Sequence, residues 1–243
     1  MIPKIVHYCW FGRNPLPKSA QKCIDSWRKF FPDYEIKEWN EDNFDVNIIP
    51  YTKAAYEAKK YAFVSDYARF WVLYHYGGVY FDTDVEVIKP MNDILSSGGF
   101  MGCEIDAGET FSVNPGVGVA VESYHPLYKE LLEMYDGLSF YLENGKMNPF
   151  AIVRITTAVL LEHGLQKKFC IQQIQGITVY PADYFNPLDD ATGKLNITMN
   201  TRSIHWYSKT WLPTSPLKTK LVRLCHRYFG IDCFSTLKKI LKK

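Results

Sequence analysis

Two carboxylates two residues apart, Asp82 and Asp84, stand at the end of a short hydrophobic run. The run, residues 79–81, follows a pair of glycines and predicts a short buried strand. Residues two apart on a strand lie on the same side, so both carboxylates can converge where the sheet opens to solvent. Such oxygens suit Mg²⁺ or Mn²⁺, which usually keeps coordination positions for substrate phosphates. The pattern therefore predicts a divalent metal site at Asp82 and Asp84.

An acid and a base precede this motif on a predicted helix. Asp66 and Arg69 are three residues apart and share one helix face. Their neighbours, residues 62–64 and 70–71, are apolar, which predicts that the pair is at least half buried. An ion pair at a surface contributes little to stability, whereas buried charges need a partner or a function. A functional role is favoured, and a purely structural ion pair is the alternative.

The elements before the motif predict an α/β domain. Residues 2–8 and 34–39 are predicted as strands, and between them Ala20, Ile24 and Trp27 recur at helical spacing. This β-α-β opening is typical of a parallel sheet. Residues 54–76 are predicted as one helix, which ends at the two glycines before the metal motif.

The signals after the motif are weaker. Residues 111–121 are predicted as β structure, and residues 126–135 and 152–161 as helices. Two further strands are predicted at residues 177–180 and 203–207.

Composition limits the class of protein. The chain has 243 residues, of which 47% are hydrophobic and 22% charged, which suits a globular domain with a substantial core. No apolar run approaches the roughly 18 to 20 residues of a membrane-spanning helix, and residues 1–7 do not resemble a secretory signal. Six scattered cysteines are typical of a reducing compartment. A cytoplasmic protein is therefore expected.

Positive charge is concentrated at the end of the chain. Residues 216–243 hold eight Lys or Arg and one acid, which leaves 20 basic against 25 acidic residues in the rest. Leu217, Leu221, Leu224 and Tyr228 recur there at three- and four-residue steps. The pattern predicts an amphipathic tail, residues 216–243, in contact with a membrane surface rather than with nucleic acid. An ordinary surface helix with solvated lysines is the alternative.

Several segments resemble glycosyltransferase family 32. They are residues 2–12, IPKIVHYCWFG, residues 60–69, KYAFVSDYAR, and residues 77–86, GGVYFDTDVE. The resemblance is specific over about residues 1–95 and looser through residues 180–185 and 204–211. Bacterial members of that family are commonly associated with capsule, exopolysaccharide or lipopolysaccharide assembly.

The resemblance implies a GT-A fold, which is one α/β domain with a mostly parallel sheet flanked by helices. Residues 1–215 would form this catalytic domain and bind a nucleotide sugar through Mn²⁺ or Mg²⁺. In such sites Asp84 would ligate the metal, and Asp82 would contact the sugar or share the metal. Asp66 and Arg69 would hold the donor sugar and its phosphate. Such enzymes retain the configuration of the transferred sugar.

The resemblance also suggests further site residues. Tyr8 and Trp10 lie where such enzymes contact the nucleobase, although core packing is an equal alternative. Asn114 falls where related transferases contact the donor sugar, and His205 is a candidate third metal ligand, with a structural histidine as the alternative. Independently of the resemblance, the negative charge that develops on a leaving diphosphate makes Lys209 a candidate cation to close over the phosphates. Trp211 belongs to a loop that could order over the donor.

The sequence therefore predicts a retaining, metal-dependent hexosyltransferase for surface polysaccharide synthesis. The expected donor is a UDP-sugar, and the expected acceptor is a glycan or lipid-linked oligosaccharide at the inner face of the membrane. A metal-dependent phosphohydrolase, which would use the same carboxylates to activate water, is one alternative. A noncatalytic carbohydrate-binding module is the other.

Overall fold

The computed structural model describes residues 1–106, 110–148, 152–208, 216–231 and 233–234. The strands are β1 Ile5–Cys9, β2 Glu35–Trp39, β3 Gly78–Tyr80, β4 Val85–Val87, β5 Gly99–Ile105, β6 Ser112–Val113, β7 Val119–Val121, β8 Gln172–Ile174, β9 Ile177–Tyr180 and β10 Ser203–His205. The helices are α1 Lys18–Phe30, α2 Pro50–Glu57, α3 Tyr61–Tyr76, α4 Asn92–Ser96, α5 Pro126–Glu133, α6 Ile152–Glu162, α7 Ala182–Phe185 and α8 Pro216–Phe229.

The main sheet has the order β2-β1-β3-β7-β5-β9-β8, and β6 pairs with β5. Strand β1 is parallel to β2 and β3, and β5 is parallel to β9. Strand β7 lies antiparallel between β3 and β5, so β1, β2, β3, β5 and β9 all run in one direction. Their carboxyl ends therefore meet at one edge of the sheet, where Asp82 follows β3.

Apolar side chains cover both faces of the sheet. On one face Tyr80 packs with residues of α2, α3, α5 and α6, including Ala68 and Phe70. On the other face Val79 packs with residues of α1, α4 and α7, including Trp27, which is fully buried. Because Val79 and Tyr80 are adjacent in β3, they point to opposite faces. The predicted α/β class is confirmed.

A second, two-stranded sheet fixes the region after the aspartates. Strand β10 is antiparallel to β4, and His205 lies opposite Val85. This pairing brings residues 203–208 beside the aspartates despite the long separation in sequence. Within the described ranges no helix has both the length and the apolar character needed to cross a bilayer.

The prediction of a single helix over residues 54–76 is wrong. Helix α2 ends at Glu57 and α3 begins at Tyr61. Lys59 between them has φ 56°, and the Lys60 N–H donates to the Ala55 carbonyl, which closes α2. A continuous helix over the 23 positions would extend about 35 Å, whereas the break lets both helices bury apolar residues in the same core cluster.

Candidate functional site

The backbone between β3 and β4 holds both aspartates at the edge of the sheet. The Asp82 N–H donates to the Gly116 carbonyl at 3.0 Å, and the Val85 N–H donates to the Asp82 carbonyl at 3.0 Å. The second bond closes a tight turn over residues 82–85. Both aspartate side chains are half-buried.

The predicted ligands Asp82, Asp84 and His205 come together in this turn. One ligand atom from each lies within 4.8 Å of the other two. His205 Nε2 is 3.3 Å from Asp84 Oδ1, and the His205 side chain is only 10% exposed. Strand β10 achieves this placement by pairing with β4.

Ser208 completes the surroundings of Asp84. Its N–H and its hydroxyl both donate to Asp84 Oδ2, at 2.8 and 2.9 Å. Burial alone would raise the pKa of Asp84, but His205 and these two bonds outweigh burial and hold that pKa well below its usual range. Burial likewise opposes the charged form of His205, yet the charge of Asp84 outweighs it and raises the pKa of the imidazole.

Arg69 contacts both Asp66, on the same helix, and Asp82 of the metal motif. Its Nη2 lies 2.9 Å from Asp82 Oδ1 and 3.2 Å from Asp66 Oδ1. The Arg69 side chain is 5% exposed and lies over the Tyr80 ring, whose hydroxyl donates to Asp82 at 3.2 Å. This guanidinium, which two carboxylates share, fixes the orientation of Asp82.

The buried carboxyls titrate abnormally. Burial raises the pKa of Asp66 to about 7, since the loss of solvation, with the nearby Asp82 charge, outweighs attraction to Arg69. Burial also raises the pKa of Asp82, and the Asp84 charge adds to that effect against Arg69. Perturbed carboxyls of this kind cluster at functional sites.

The turn that contains Asn114 and Gly116 packs against Asp82. Asn114 is buried, and its Oδ1 accepts a hydrogen bond from the Gly116 N–H at 2.7 Å. A Cβ atom on Gly116 would lie 2.0 Å from Asp82 Oδ2. The turn therefore fits against the Asp82 carboxylate, and the predicted contact of Asn114 with a donor sugar stays a prediction.

The two candidate nucleobase contacts lie in different environments. Tyr8 is buried beside Trp27, and its hydroxyl donates to Glu38 at 2.6 Å. Trp10 is partly exposed and lines an open pocket of about 400 Å³ at the carboxyl ends of β1 and β2, together with Glu38 and Asn40. Tyr8 thus supports the wall of this pocket through Glu38, and Trp10 is the aromatic ring at its surface.

Two predicted residues, Lys209 and Trp211, lie outside the described residues. The described chain reaches Ser208, which is bonded to Asp84. Their predicted roles over the donor phosphates and the donor therefore stay predictions.

The donor set fits a divalent cation. Asp82, Asp84 and His205 supply carboxylate oxygens and an imidazole nitrogen, which Mn²⁺ accepts together and which suit Mg²⁺ less well because of the nitrogen. They are the one group of three metal-ligating side chains that the described residues bring so close. The glycine at 116 leaves the space that the Asp82 carboxylate occupies.

Residues that sequence reasoning missed surround this set. Glu104 at the end of β5, Asn186 after α7 and Tyr207 after β10 bond to one another beside His205. Ser208, which bonds to Asp84, is the fourth residue that was not predicted. Tyr207 and Ser208 lie in the loosely matching segment 204–211, but the bonds join parts of the chain that are distant in sequence, and no sequence pattern indicates them.

The fold is that of a glycosyltransferase of the GT-A type. The chain superimposes on the solved structure titled PaToxG Glycosyltransferase with a TM-score of 0.51 and 20% sequence identity. The alignment covers 66% of this chain and 69% of that chain. The predicted GT-A architecture is thereby confirmed.

The sequence of the site region also matches a known family. Residues 17–100 match the family described as glycosyltransferase sugar-binding region containing DXD motif. The match includes Asp66, Arg69, Asp82 and Asp84. It supports the glycosyltransferase class that the sequence predicted.

Curated relatives share this part of the chain. Inositol phosphoceramide mannosyltransferase 1 of Schizosaccharomyces pombe is 30% identical over 111 residues, which cover 41% of this chain and 33% of the relative. Mannosyl phosphorylinositol ceramide synthase CSH1 of Saccharomyces cerevisiae is 28% identical over 177 residues, which cover 70% of this chain and 43% of the relative. The chain thus spans less than half the length of either relative. Both are fungal, and the bacterial capsular type stays a prediction.

Proposed function

We propose that this chain is a metal-dependent glycosyltransferase that moves a hexose from a nucleoside diphosphate to a hydroxyl group of a glycan or glycolipid. The observation that carries the proposal is the convergence of Asp82, Asp84 and His205 beside Arg69, at the carboxyl edge of a GT-A sheet. Ligands of open α/β sheets bind at that edge.

The chemistry requires stabilisation of a leaving diphosphate. Cleavage of the sugar–phosphate bond places negative charge on the diphosphate and positive, oxocarbenium-like charge on the sugar. A divalent ion held by Asp82, Asp84 and His205 would supply positive charge to the diphosphate oxygens. Lys209, which lies outside the described residues, is proposed to add a second positive charge to the diphosphate.

The chain's own residues fix these groups before substrate binds. Arg69 holds the Asp82 carboxylate at 2.9 Å, and Ser208 holds Asp84 Oδ2 through two bonds. Such fixed orientation avoids reorganisation during the reaction. Asp66, anchored to Arg69, is proposed to accept hydrogen bonds from donor hydroxyls. Retention of configuration is proposed from the family resemblance.

Two donor classes compete. The sequence favours a UDP-sugar, whereas the names of the fungal relatives favour a mannosyl donor. In either case the base is proposed to stack on Trp10 in the pocket beside Glu38 and Asn40. Transfer to a lipid-borne hydroxyl is proposed because one relative is named an inositol phosphoceramide mannosyltransferase and the other a mannosyl phosphorylinositol ceramide synthase. A surface polysaccharide acceptor is the alternative that the resemblance suggests.

A screen of UDP- and GDP-hexoses with Mn²⁺ tests the proposal. Release of nucleoside diphosphate is measured with and without candidate acceptors, and the products are identified by mass spectrometry. We expect release that depends on acceptor and yields a glycosylated product. Release of free sugar or phosphate at an equal rate without acceptor would indicate the hydrolase alternative. Binding of sugars without turnover of any donor would indicate the binding module.

The terminal helix is proposed to contact the membrane with its apolar residues. Arg223 bonds to Asp190, and Arg227 donates to the carbonyls of Thr192 and Gly193, so these two arginines face the domain. The residues that α8 and the following turn expose are largely apolar; they include Leu221, Leu224, Tyr228, Phe229 and Ile231. Exposed apolar residues beside exposed lysines, Lys218 and Lys220, fit an interface with anionic lipid.

Vesicle sedimentation tests this contact. The double variant Leu224→Glu/Tyr228→Glu should lose binding to phosphatidylserine vesicles, because its apolar face becomes acidic. Phe169→Glu, at an exposed position outside α8, serves as the matched control. Equal binding by the two variants would contradict a membrane role for α8, and with it the proposed location at the inner face of the cell membrane.

A further inference from the structure

Tyr207 folds back onto the candidate metal set. Its backbone has φ 50°, in the left-handed region that a non-glycine residue seldom adopts. The centroid of its ring lies 4.1 Å from that of His205. Tyr207 lies between His205 and Ser208 in the sequence, and the turn at this residue directs its ring onto the His205 ring.

The Tyr207 hydroxyl is held by two residues of the main domain. It donates to Glu104 Oε1 at 3.0 Å and accepts from Asn186 Nδ2 at 2.7 Å. The same Asn186 Nδ2 lies 3.1 Å from the Glu104 carbonyl. Glu104 belongs to β5 and Asn186 follows α7, so the hydroxyl ties residues 205–208 to two separate elements.

His205 and Ser208, which lie on either side of Tyr207 in the chain, both contact Asp84. His205 lies 3.3 Å from Asp84 Oδ1, and Ser208 donates twice to Asp84 Oδ2. Tyr207 stands between them in the chain and packs on the His205 ring. A shift of Tyr207 would therefore move both groups that surround Asp84.

We propose that Tyr207 is a positioning residue, which, through Glu104 and Asn186, holds His205 and Ser208 against Asp84 and so sets the affinity of the site for a divalent cation. The inference rests on the metal site of the proposed function. Partners of metal ligands commonly change metal affinity by about 10- to 100-fold when they are removed. Here the partner acts through packing on a ligand and through the backbone that carries it.

Calorimetric titration of the purified protein with Mn²⁺ tests the inference without turnover. Tyr207→Phe keeps the ring and removes the hydroxyl, and we expect Mn²⁺ affinity to fall about tenfold. Tyr124→Phe removes a phenol from a side chain that is 64% exposed, and it serves as the matched control. Glu104→Ala should weaken binding as Tyr207→Phe does, whereas Glu104→Gln, which retains an oxygen acceptor for Tyr207, should restore affinity to near that of the parent.

A double variant separates this network from independent effects. Tyr207→Phe/Glu104→Ala should bind Mn²⁺ no more weakly than either single variant, because each change breaks the same bond. Additive losses, or a Tyr207→Phe variant that binds as tightly as Tyr124→Phe, would overturn the positioning role. If Tyr207→Phe does not fold by circular dichroism, the contrast between Glu104→Ala and Glu104→Gln decides. Failure of the parent protein to bind Mn²⁺ would overturn the metal site itself.

Discussion

Gly116 lies against the Asp82 carboxylate, and its replacement by alanine perturbs the metal set without touching a ligand. The backbone of Gly116 is outside the left-handed region, so alanine is compatible with its conformation. Its Cβ, however, would lie 2.0 Å from Asp82 Oδ2 and 2.9 Å from Arg69 Nη1. Real contacts of this kind do not fall below 3.0 Å.

The carboxylate oxygen would therefore have to move by about 1 Å, against a tolerance of about 0.2 Å in metal–ligand distances. We expect Mn²⁺ affinity to fall about 10- to 100-fold and kcat/KM to fall by up to about 100-fold. Stability should also fall, because Asp82 can move only by disturbing its 2.9 Å ion pair with the buried Arg69 and its bond from Tyr80. The smaller conformational entropy of the unfolded alanine variant offsets about 0.4 to 1 kcal/mol of that loss.

Calorimetric Mn²⁺ titration, nucleoside diphosphate release and urea denaturation measure the three effects. Gly137→Ala is the matched control, because a Cβ at that position meets no atom within 4 Å. A Gly116→Ala protein with the Mn²⁺ affinity and kcat/KM of Gly137→Ala would refute the placement of Asp82 in the metal set.

Three further predictions concern the same site. Asp84→Asn should weaken Mn²⁺ binding by at least about 100-fold, measured by calorimetry; binding equal to that of the parent would contradict a ligand role. The fold raises the pKa of Asp66 from 3.8 to about 7. Between these pH values the folded protein keeps a proton on Asp66 that the unfolded chain has lost, so the free energy of unfolding should fall as pH rises through this range. Asp66→Asn should remove about 2 to 4 kcal/mol of that fall, measured by urea denaturation at pH 5 and pH 8 in chelator, and an identical pH dependence in both proteins would contradict the raised pKa. Chelation should abolish donor turnover and added Mn²⁺ should restore it, whereas turnover that persists in chelator would exclude a metal requirement.

The aspartate motif could be predicted from sequence because its determinants are local. Two glycines, a short buried run and two acids at alternate positions specify a strand that ends at a polar edge, and β3 with residues 82–84 has that form. The burial of Asp66 and Arg69 followed in the same way from their apolar neighbours.

The rest of the site depends on contacts between distant segments. His205 reaches Asp84 only through the pairing of β10 with β4, and no periodicity in the sequence encodes that pairing. The prediction of His205 as a metal ligand therefore depended on the family resemblance. Tyr207 lies in the loosely matching segment 204–211 and Glu104 lies outside the matching segments, but the bond between them depends on the same kind of long-range contact and could not be predicted.

The glycine at 116 shows a different limit. In the sequence it belongs only to Gly116-x-Gly118, which is too short for a dinucleotide fingerprint. The fold shows that position 116 needs a residue without a Cβ because Asp82 occupies that space. Steric requirements of this kind become visible only when the neighbouring element is known.

Anomalous diffraction from a crystal grown with MnCl₂ tests the metal site most directly. We expect one strong manganese peak about 2.1 Å from carboxylate oxygens of Asp82 or Asp84, with His205 in the same coordination shell. A manganese peak elsewhere on the protein, or none at these three side chains at saturating Mn²⁺, would contradict it.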